Sequence, residues 1–130
     1  MVQKEIELIL MRQLAASLAT PIFVVDRAGT LVYFNEPAEA LLGRRYDEAG
    51  EMPFEEWSTI FTPRDDTGAR LPPEVLPLAI ALRARRPAHR GIHITGLDGV
   101  DRQIEVVAFP LEGQAGRHLG AVAIFWERAP

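Results

Sequence analysis

Few side chains in this sequence are of a type and spacing that could do chemistry. The three histidines, His89, His93 and His118, could act as bases or metal ligands. Two acid pairs, Glu55-Glu56 and Asp65-Asp66, offer the neighbouring carboxylates used in general acid and base catalysis. Adjacent side chains point apart, however, so each pair is expected at the solvated surface. The histidines are expected as surface or hydrogen-bonding groups, and we predict no metal site.

Motifs that mark catalytic sites are missing. The chain has no cysteine, which excludes disulfides and thiolate nucleophiles. It also lacks a G-x-S-x-G nucleophile elbow, a G-x-x-x-x-G-K-[ST] phosphate loop and a G-x-G-x-x-G turn between a strand and a helix. We therefore predict no catalytic residues and no enzyme activity.

Length and net charge narrow the possible classes of protein further. With 130 residues and 48% hydrophobic content, the chain is predicted to form one globular domain. The net charge of -4 disfavours nucleic-acid binding, and the basic cluster of Arg83, Arg85 and Arg86 is expected to be a solvated helix end. No apolar run approaches the roughly 18 residues of a membrane span, and no leader pattern is present. The expectation is a cytoplasmic protein without membrane insertion.

The elements that would position a site are clearest in residues 21–43. Two short apolar strands flank a turn that contains Gly29, which is free to adopt a positive φ. Asn35 is suited to cap the next helix, Pro37 fits the first turn of that helix, and Gly43 can end it. The pattern predicts a hairpin that leads directly into a short helix.

The rest of the chain alternates between helical and strand patterns. Asp98-Gly99 is a strong hairpin signal between two alternating strands. The order of elements indicates an α+β domain with an antiparallel sheet. The predicted elements are helices over residues 1–19, 53–60 and 77–85 and strands over residues 88–95, 102–109 and 118–126.

The run PIFVVDRAGTLVYFNEPAEALLG, residues 21–43, resembles the opening of a PAS domain, a small sensor and dimerisation module of signalling proteins. RLPPEVLPLAIALRARR, residues 70–86, is similar to the connecting helix of that family, and residues 91–126 are similar to its closing strands. The resemblance implies a PAS domain over residues 20–127 behind a cap helix over residues 1–19. It also implies a five-stranded antiparallel sheet with connecting helices on one face, and a signalling output protein or domain as partner.

Aligning the strands with the PAS pattern implies which side chains face the helices. The inward strand positions are all apolar, and they include Ile92 and Ala108. Trp57 and Leu82, on the predicted helices, are expected to face them. The resulting ligand-pocket candidates are Phe23, Val25, Trp57, Leu82, Ile94, Ile104, Val106, Ala121, Ala123 and Phe125.

The resemblance also allows cofactors to be judged. Flavin-binding relatives carry amide side chains where Ile94, Ile104 and Phe125 stand here, so flavin is disfavoured. Haem-binding relatives use a histidine on the connecting helix, and residues 77–86 contain none, so haem is disfavoured as well. We predict no cofactor, and a mostly hydrocarbon ligand is the class that such a pocket could accept.

Small residues on the inner face leave two interpretations open. Ala108, Ala121 and Ala123 could make room for an apolar ligand, or they could let bulky helix side chains pack closely against the sheet. Dense packing is the commoner outcome in protein interiors.

The N-terminal helix is apolar around most of its circumference, which indicates more than one neighbour. One interpretation buries it entirely within its own domain. The preferred interpretation places it between its own sheet, whose outer face carries an apolar band, and a second subunit. The dimer-interface candidates are Ile6, Ile9, Leu10, Leu14, Val107, Phe109, Val122, Ile124 and Trp126.

Two functions follow from these patterns. The first is a non-catalytic PAS sensor module that forms a homodimer and senses a small apolar ligand. The second is a ligand-free module for protein–protein interaction with a solid core. Mass analysis of molecules that copurify with the protein would discriminate between them.

Overall fold

A computed structural model describes residues 6–128 of the chain, and its centre is one five-stranded antiparallel sheet with strand order β2-β1-β5-β4-β3. This architecture confirms the predicted α+β fold. The strands are β1 (Ile22–Asp26), β2 (Leu31–Phe34), β3 (Ala88–Thr95), β4 (Asp101–Glu112) and β5 (His118–Glu127). The helices are α1 (Ile6–Ser17), α2 (Glu36–Leu42), α3 (Tyr46–Ala49), α4 (Phe54–Trp57) and α5 (Pro77–Ala84), with 3₁₀ turns at Pro73–Val75 and Gln114–Gly116.

The hairpin and the helix that follows it form as the sequence predicts. The turn between β1 and β2 is closed by Asp26, whose Oδ1 accepts hydrogen bonds from the backbone N–H groups of Ala28 and Thr30. Gly29 in this turn has φ +91°, which a residue with a side chain rarely adopts. Gly43 ends α2 in the left-handed region, and its N–H donates to the Glu39 carbonyl.

The structure differs from the predictions most clearly in three elements. β4 continues through Pro110 to Glu112. The first residue of β3, Ala88, pairs with Ala108, so β3 does not reach Pro110 and the missing N–H of this proline costs no bond on that side. The predicted helix over residues 53–60 is regular only as α4. The short helix α3 has no signal of its own in the sequence, since it depends on tertiary bonds of Tyr46 to the Glu39 carboxylate and the Val32 carbonyl.

The inner face of the sheet and the helices α2, α4 and α5 enclose the main core. Every strand position predicted to point inward, including Ile92 and Ala108, is buried in this cluster. α5 lies across β3, β4 and β5. Burial of this apolar face provides the main stabilisation of the domain.

The outer face of the sheet is covered in part by α1. Leu8 and Ala15 of this helix are buried against Val24, Val32 and Val122 of the sheet. Residues 1–5 of the predicted N-terminal helix lie outside the described residues. Within residues 6–128, no helix is long and apolar enough to cross a membrane.

Candidate functional site

A cavity of about 70 Å³ lies between the inner face of the sheet and the helical layer. Its wall is formed almost entirely by carbon atoms. The lining residues are Phe23, Leu42, Trp57, Phe61, Pro63, Leu76, Pro77, Leu78, Ile92, Ile94, Ile104, Val106, Ala123 and Phe125.

Most, but not all, of the predicted pocket residues line the cavity. Val25, Leu82 and Ala121 are buried in the same core but do not line the cavity. Sequence reasoning missed one wall, which comes from irregular segments around Phe61 and Pro63 and around Leu76 and Pro77. The prolines and apolar residues of these loops were the available signal. The predicted pocket candidates that do line the cavity are Phe23, Trp57, Ile94, Ile104, Val106, Ala123 and Phe125.

The lining does not fit flavin or haem, the two cofactors that the sequence disfavours. The lining residues include no amide, carboxylate or histidine, so a flavin ring would find no hydrogen-bond partners and a haem iron no axial ligand there. Among the lining residues that the structure describes, Trp57 alone has a side-chain N–H, and its Nε1 already donates to the Gly29 carbonyl at 2.8 Å. Among residues 6–128 no cluster of metal-ligating side chains occurs either.

Aromatic contacts fix the wall that α4 contributes. The rings of Phe54 and Trp57 meet edge to face with centroids 5.0 Å apart. The Arg83 guanidinium of α5 lies over the Phe54 ring at 4.2 Å, a cation–π contact that joins the two helices. Next to this wall, Thr62 has φ 48°, an unusual conformation for a β-branched residue.

The histidines do not converge on the cavity. His89 Nε2 lies 2.8 Å from Glu105 Oε2, and His93 Nε2 lies 2.9 Å from Asp66 Oδ1, so both form polar pairs at the surface. His118 is half-buried at the start of β5, and its Nδ1 has no partner among the described residues.

The partial burial of His118 predicts that the stability of the domain depends on pH. Burial, with a smaller contribution from the positive charge of Arg85, lowers the pKa of His118 below its ordinary value of 6.5. The unfolded chain therefore binds more protons than the folded one as pH falls through that value, and stability decreases towards acid pH. We expect His118→Gln to make the loss of thermal stability between about pH 7 and pH 5 shallower than in the natural chain. Identical pH profiles of the melting temperature would contradict this.

A second candidate surface is the face of α1 that points away from the sheet. Ile6, Leu10 and Leu14 are 67%, 57% and 53% exposed, and Ile9 is exposed beside them. At 100° per residue these side chains lie opposite the face that packs on the sheet. The helix therefore has two apolar faces, of which its own domain covers one.

The remaining dimer candidates lie on the outer face of the sheet and differ in how far α1 covers them. Val122 is fully buried beneath α1 and is not available to a partner in this arrangement. Phe109 and Ile124 are partly covered by the same cluster. Val107 is half-buried and Trp126 is 43% exposed, so these two side chains extend an apolar patch beyond the edge of α1.

Asn35 joins α1 to the domain, a role that the sequence did not reveal. Its side chain is 1% exposed. Its Oδ1 accepts from the N–H groups of Ile22 and Ala38 at 3.0 and 3.2 Å, which caps α2 as predicted. Its Nδ2 donates to the carbonyls of Ala15 and Thr20 at 3.0 and 2.8 Å. One amide therefore holds the end of α1, β1 and the start of α2 together.

Comparison with known proteins agrees with this architecture. No curated protein matches the chain significantly. The PAS domain of Bordetella pertussis BvgS is similar, with TM-score 0.65 and 18% identity over 95% of this chain and 87% of that chain. The PAS domain of nitrogen regulation protein NR(II) from Vibrio parahaemolyticus gives TM-score 0.62 and 17% identity over 92% and 98%. A Rhodobacter sphaeroides LOV protein gives TM-score 0.73 and 13% identity over 96% and 69%.

At such identities the solved structures establish a shared fold, whereas the family is established by sequence. The model of the PAS fold family matches residues 9–127, which include all five strands and most of α1. Domains of this kind are typically sensor modules in signalling. On these grounds the chain belongs to the PAS fold family.

Proposed function

We propose that this chain is a non-catalytic sensor module that binds a small apolar ligand in the cavity and works as a homodimer through α1. The observation that carries the sensor role is the cavity itself, a space lined almost entirely by apolar side chains. Such a space favours hydrocarbon over water, because water there would find no hydrogen-bond partners.

The size of the cavity limits the ligand. An apolar cavity of about 150 Å³ in another protein stays dry and binds benzene or xenon. The cavity here, about 70 Å³, is roughly half as large. A ligand that enters without moving the walls therefore has only a few non-hydrogen atoms, and a larger one must displace Phe61, Pro63 or the segment around Leu76.

Because side chains alternate along β1, this strand contacts the cavity on one face and α1 on the other. Phe23 lines the cavity on the inner face, and the next residue, Val24, is buried under α1 on the outer face. A shift of β1 caused by the ligand therefore changes the packing of the helix. Signalling further requires that the ligand bind two arrangements of this packing with different affinity. An output domain or protein would read the difference.

Substitutions of two alanines in adjacent strands test whether the cavity binds a ligand. Ala123 lines it, whereas Ala108, its partner in the β4–β5 register, is buried outside it. We expect Ala123→Val to fill part of the space, to change stability by less than about 1.5 kcal/mol, and to weaken the chemical-shift response to benzene or xenon. Ala108→Val should overpack the core, lower stability by about 1–3 kcal/mol, and keep that response. Equal responses in the two variants would refute ligand binding in this cavity.

The dimer proposal depends on the uncovered face of α1. An exposed row of isoleucine and leucine, continued by Val107 and Trp126, is unusual for a monomer and typical of a subunit interface. Two copies related by a twofold axis could each cover the other's helix. The ligand and the dimer are separable, because the variants at Ala123 and at α1 lie on opposite faces of the sheet.

The small volume of the cavity favours one alternative, a ligand-free interaction module. In that case the space is a packing defect, and the domain acts only by dimerisation. Organic extraction of the natively purified protein, followed by mass analysis, separates the two. A stoichiometric apolar compound supports the sensor, whereas an empty extract together with no response to benzene or xenon supports the interaction module.

A further inference from the structure

The junction between α5 and β3 carries a concentrated positive charge. Between Glu74 and Asp98 the sequence has no acidic residue, although the whole chain has a net charge of -4. Among residues 6–128 no carboxylate lies within ion-pair distance of the Arg85, Arg86 or Arg90 guanidinium. We call this surface the basic edge, defined by the exposed residues Arg83, Arg85, Arg86, His89 and Arg90.

The basic edge coincides with the free half of an edge strand. β3 lies at the end of the sheet, and a loop of the same chain pairs with its second half. Arg64 and His93 exchange two backbone hydrogen bonds at 2.9 Å, and the Thr95 N–H donates to the Phe61 carbonyl. Because bonding alternates along an antiparallel strand, His89 and Gly91 direct their N–H and C=O groups outward as His93 does. Within residues 6–128, no backbone group pairs with them.

The loop that pairs with the second half of β3 indicates which side chains suit a segment bound at this edge. The loop pairs with β3 through the backbone of Arg64 and continues directly into the carboxylates of Asp65 and Asp66. Asp66 Oδ1 lies 2.9 Å from His93 Nε2. The pKa of Asp65 is lowered mainly by the hydrogen bond from the Thr67 hydroxyl, and to a smaller extent by the positive charge of Arg90. Backbone pairing and acidic side chains are thus combined on this strand already.

We propose that the free half of β3 binds an extended acidic segment of a partner protein as an added strand. The backbone groups of His89 and Gly91 would pair with the segment, and Arg86 and Arg90 would face its carboxylates. The basic edge disfavours a second copy of β3 in this place, since cations would then oppose cations. His89 lies opposite Val107 of the proposed dimer patch, but the backbone groups of His89 and Gly91 belong neither to α1 nor to the cavity lining, so peptide binding is tested separately from the dimer and from the ligand.

A synthetic strand tests the proposal. The probe is a labelled, capped peptide of about eight residues that alternates glutamate and valine, with a lysine–valine peptide as the charge control. We expect the acidic peptide alone to bind, and its affinity to fall as salt is added. At saturation, hydrogen exchange of the His89 and Gly91 amides should slow about tenfold or more, whereas the Arg90 amide, already bonded within the sheet, should change little.

Matched variants assign the binding to charge and to backbone. Arg86→Glu/Arg90→Glu should weaken the acidic peptide about tenfold or more. Arg44→Glu/Arg45→Glu, the same charge change elsewhere on the surface, should alter affinity less than about twofold. A peptide N-methylated at alternate residues keeps its carboxylates but cannot pair as a strand, and it should not bind. Equal binding of the methylated peptide, no binding of the acidic peptide, or binding of single-stranded DNA in its place would each overturn the proposal.

Discussion

Replacing Asn35 with alanine should lower the free energy of unfolding by about 3–5 kcal/mol. The amide side chain is buried and satisfies the carbonyls of Ala15 and Thr20 and the N–H groups of Ile22 and Ala38. Each buried polar group left without a partner costs about 1–3 kcal/mol, and partial access of water reduces the sum. Urea denaturation followed by tryptophan fluorescence measures the loss. A change below about 1 kcal/mol would show that these bonds contribute little.

Asn35→Asp separates the two functions of this side chain. The carboxylate keeps the acceptor that caps α2, but it loses the N–H donors and faces the carbonyl oxygens of Ala15 and Thr20. We therefore expect the end of α1 to detach while α2 stays formed. Hydrogen exchange should accelerate in the α1 amides and remain unchanged in the α2 amides. Uniform acceleration in both helices would mean that Asn35 does not act as a specific anchor of α1.

The double variant Leu10→Glu/Leu14→Glu should convert a dimer to a monomer without unfolding the domain. Both side chains are exposed in the single subunit, so the folded chain tolerates charge there. In the proposed dimer they would be buried, where unpaired carboxylates cost several kcal/mol. Light scattering should give about twice the chain mass of 14.5 kDa for the natural protein and that mass once for the variant.

Leu97→Glu/Val100→Glu is the matched control, because it changes exposed apolar residues to the same charges in the turn between β3 and β4. This control should remain dimeric.

Removing residues 1–18 is the harsher test, since it uncovers Val24, Val32 and Val122 of the outer face. We expect that truncated chain to aggregate. A truncated protein that stays soluble and keeps the oligomeric state of the full chain would count against the role of α1.

The fold was predictable where local signals agreed with one another. Asn35, Pro37 and Gly43 placed α2 correctly because capping and left-handed conformations are properties of single residues. Alternation separated the two faces of the sheet, since a strand has a period of two, and the resemblance to the PAS pattern identified the inner one. The five strands were found for the same reason.

Features that depend on tertiary contacts were not predictable. α3 is held by the side-chain bonds of Tyr46 to groups that are distant in sequence. The bonds of Asn35 to Ala15 and Thr20 require α1 to be docked already, so capping chemistry revealed only half of its role. Part of the cavity wall comes from loops around Phe61 and Leu76, where no periodic pattern says which way a side chain points.

The most direct test of the proposed dimer uses the absence of cysteine, because a thiol introduced on α1 is then the only one in the chain. Ile6→Cys, Leu10→Cys and Leu14→Cys place it along the uncovered face, and Leu97→Cys places it on the distant turn. Disulfides form only when the two Cα atoms come within about 7 Å. Under mild oxidation we predict a covalent dimer for at least one α1 variant and none for Leu97→Cys. No covalent dimer from any α1 position, or equally rapid cross-linking at position 97, would contradict the pairing of two copies through this helix.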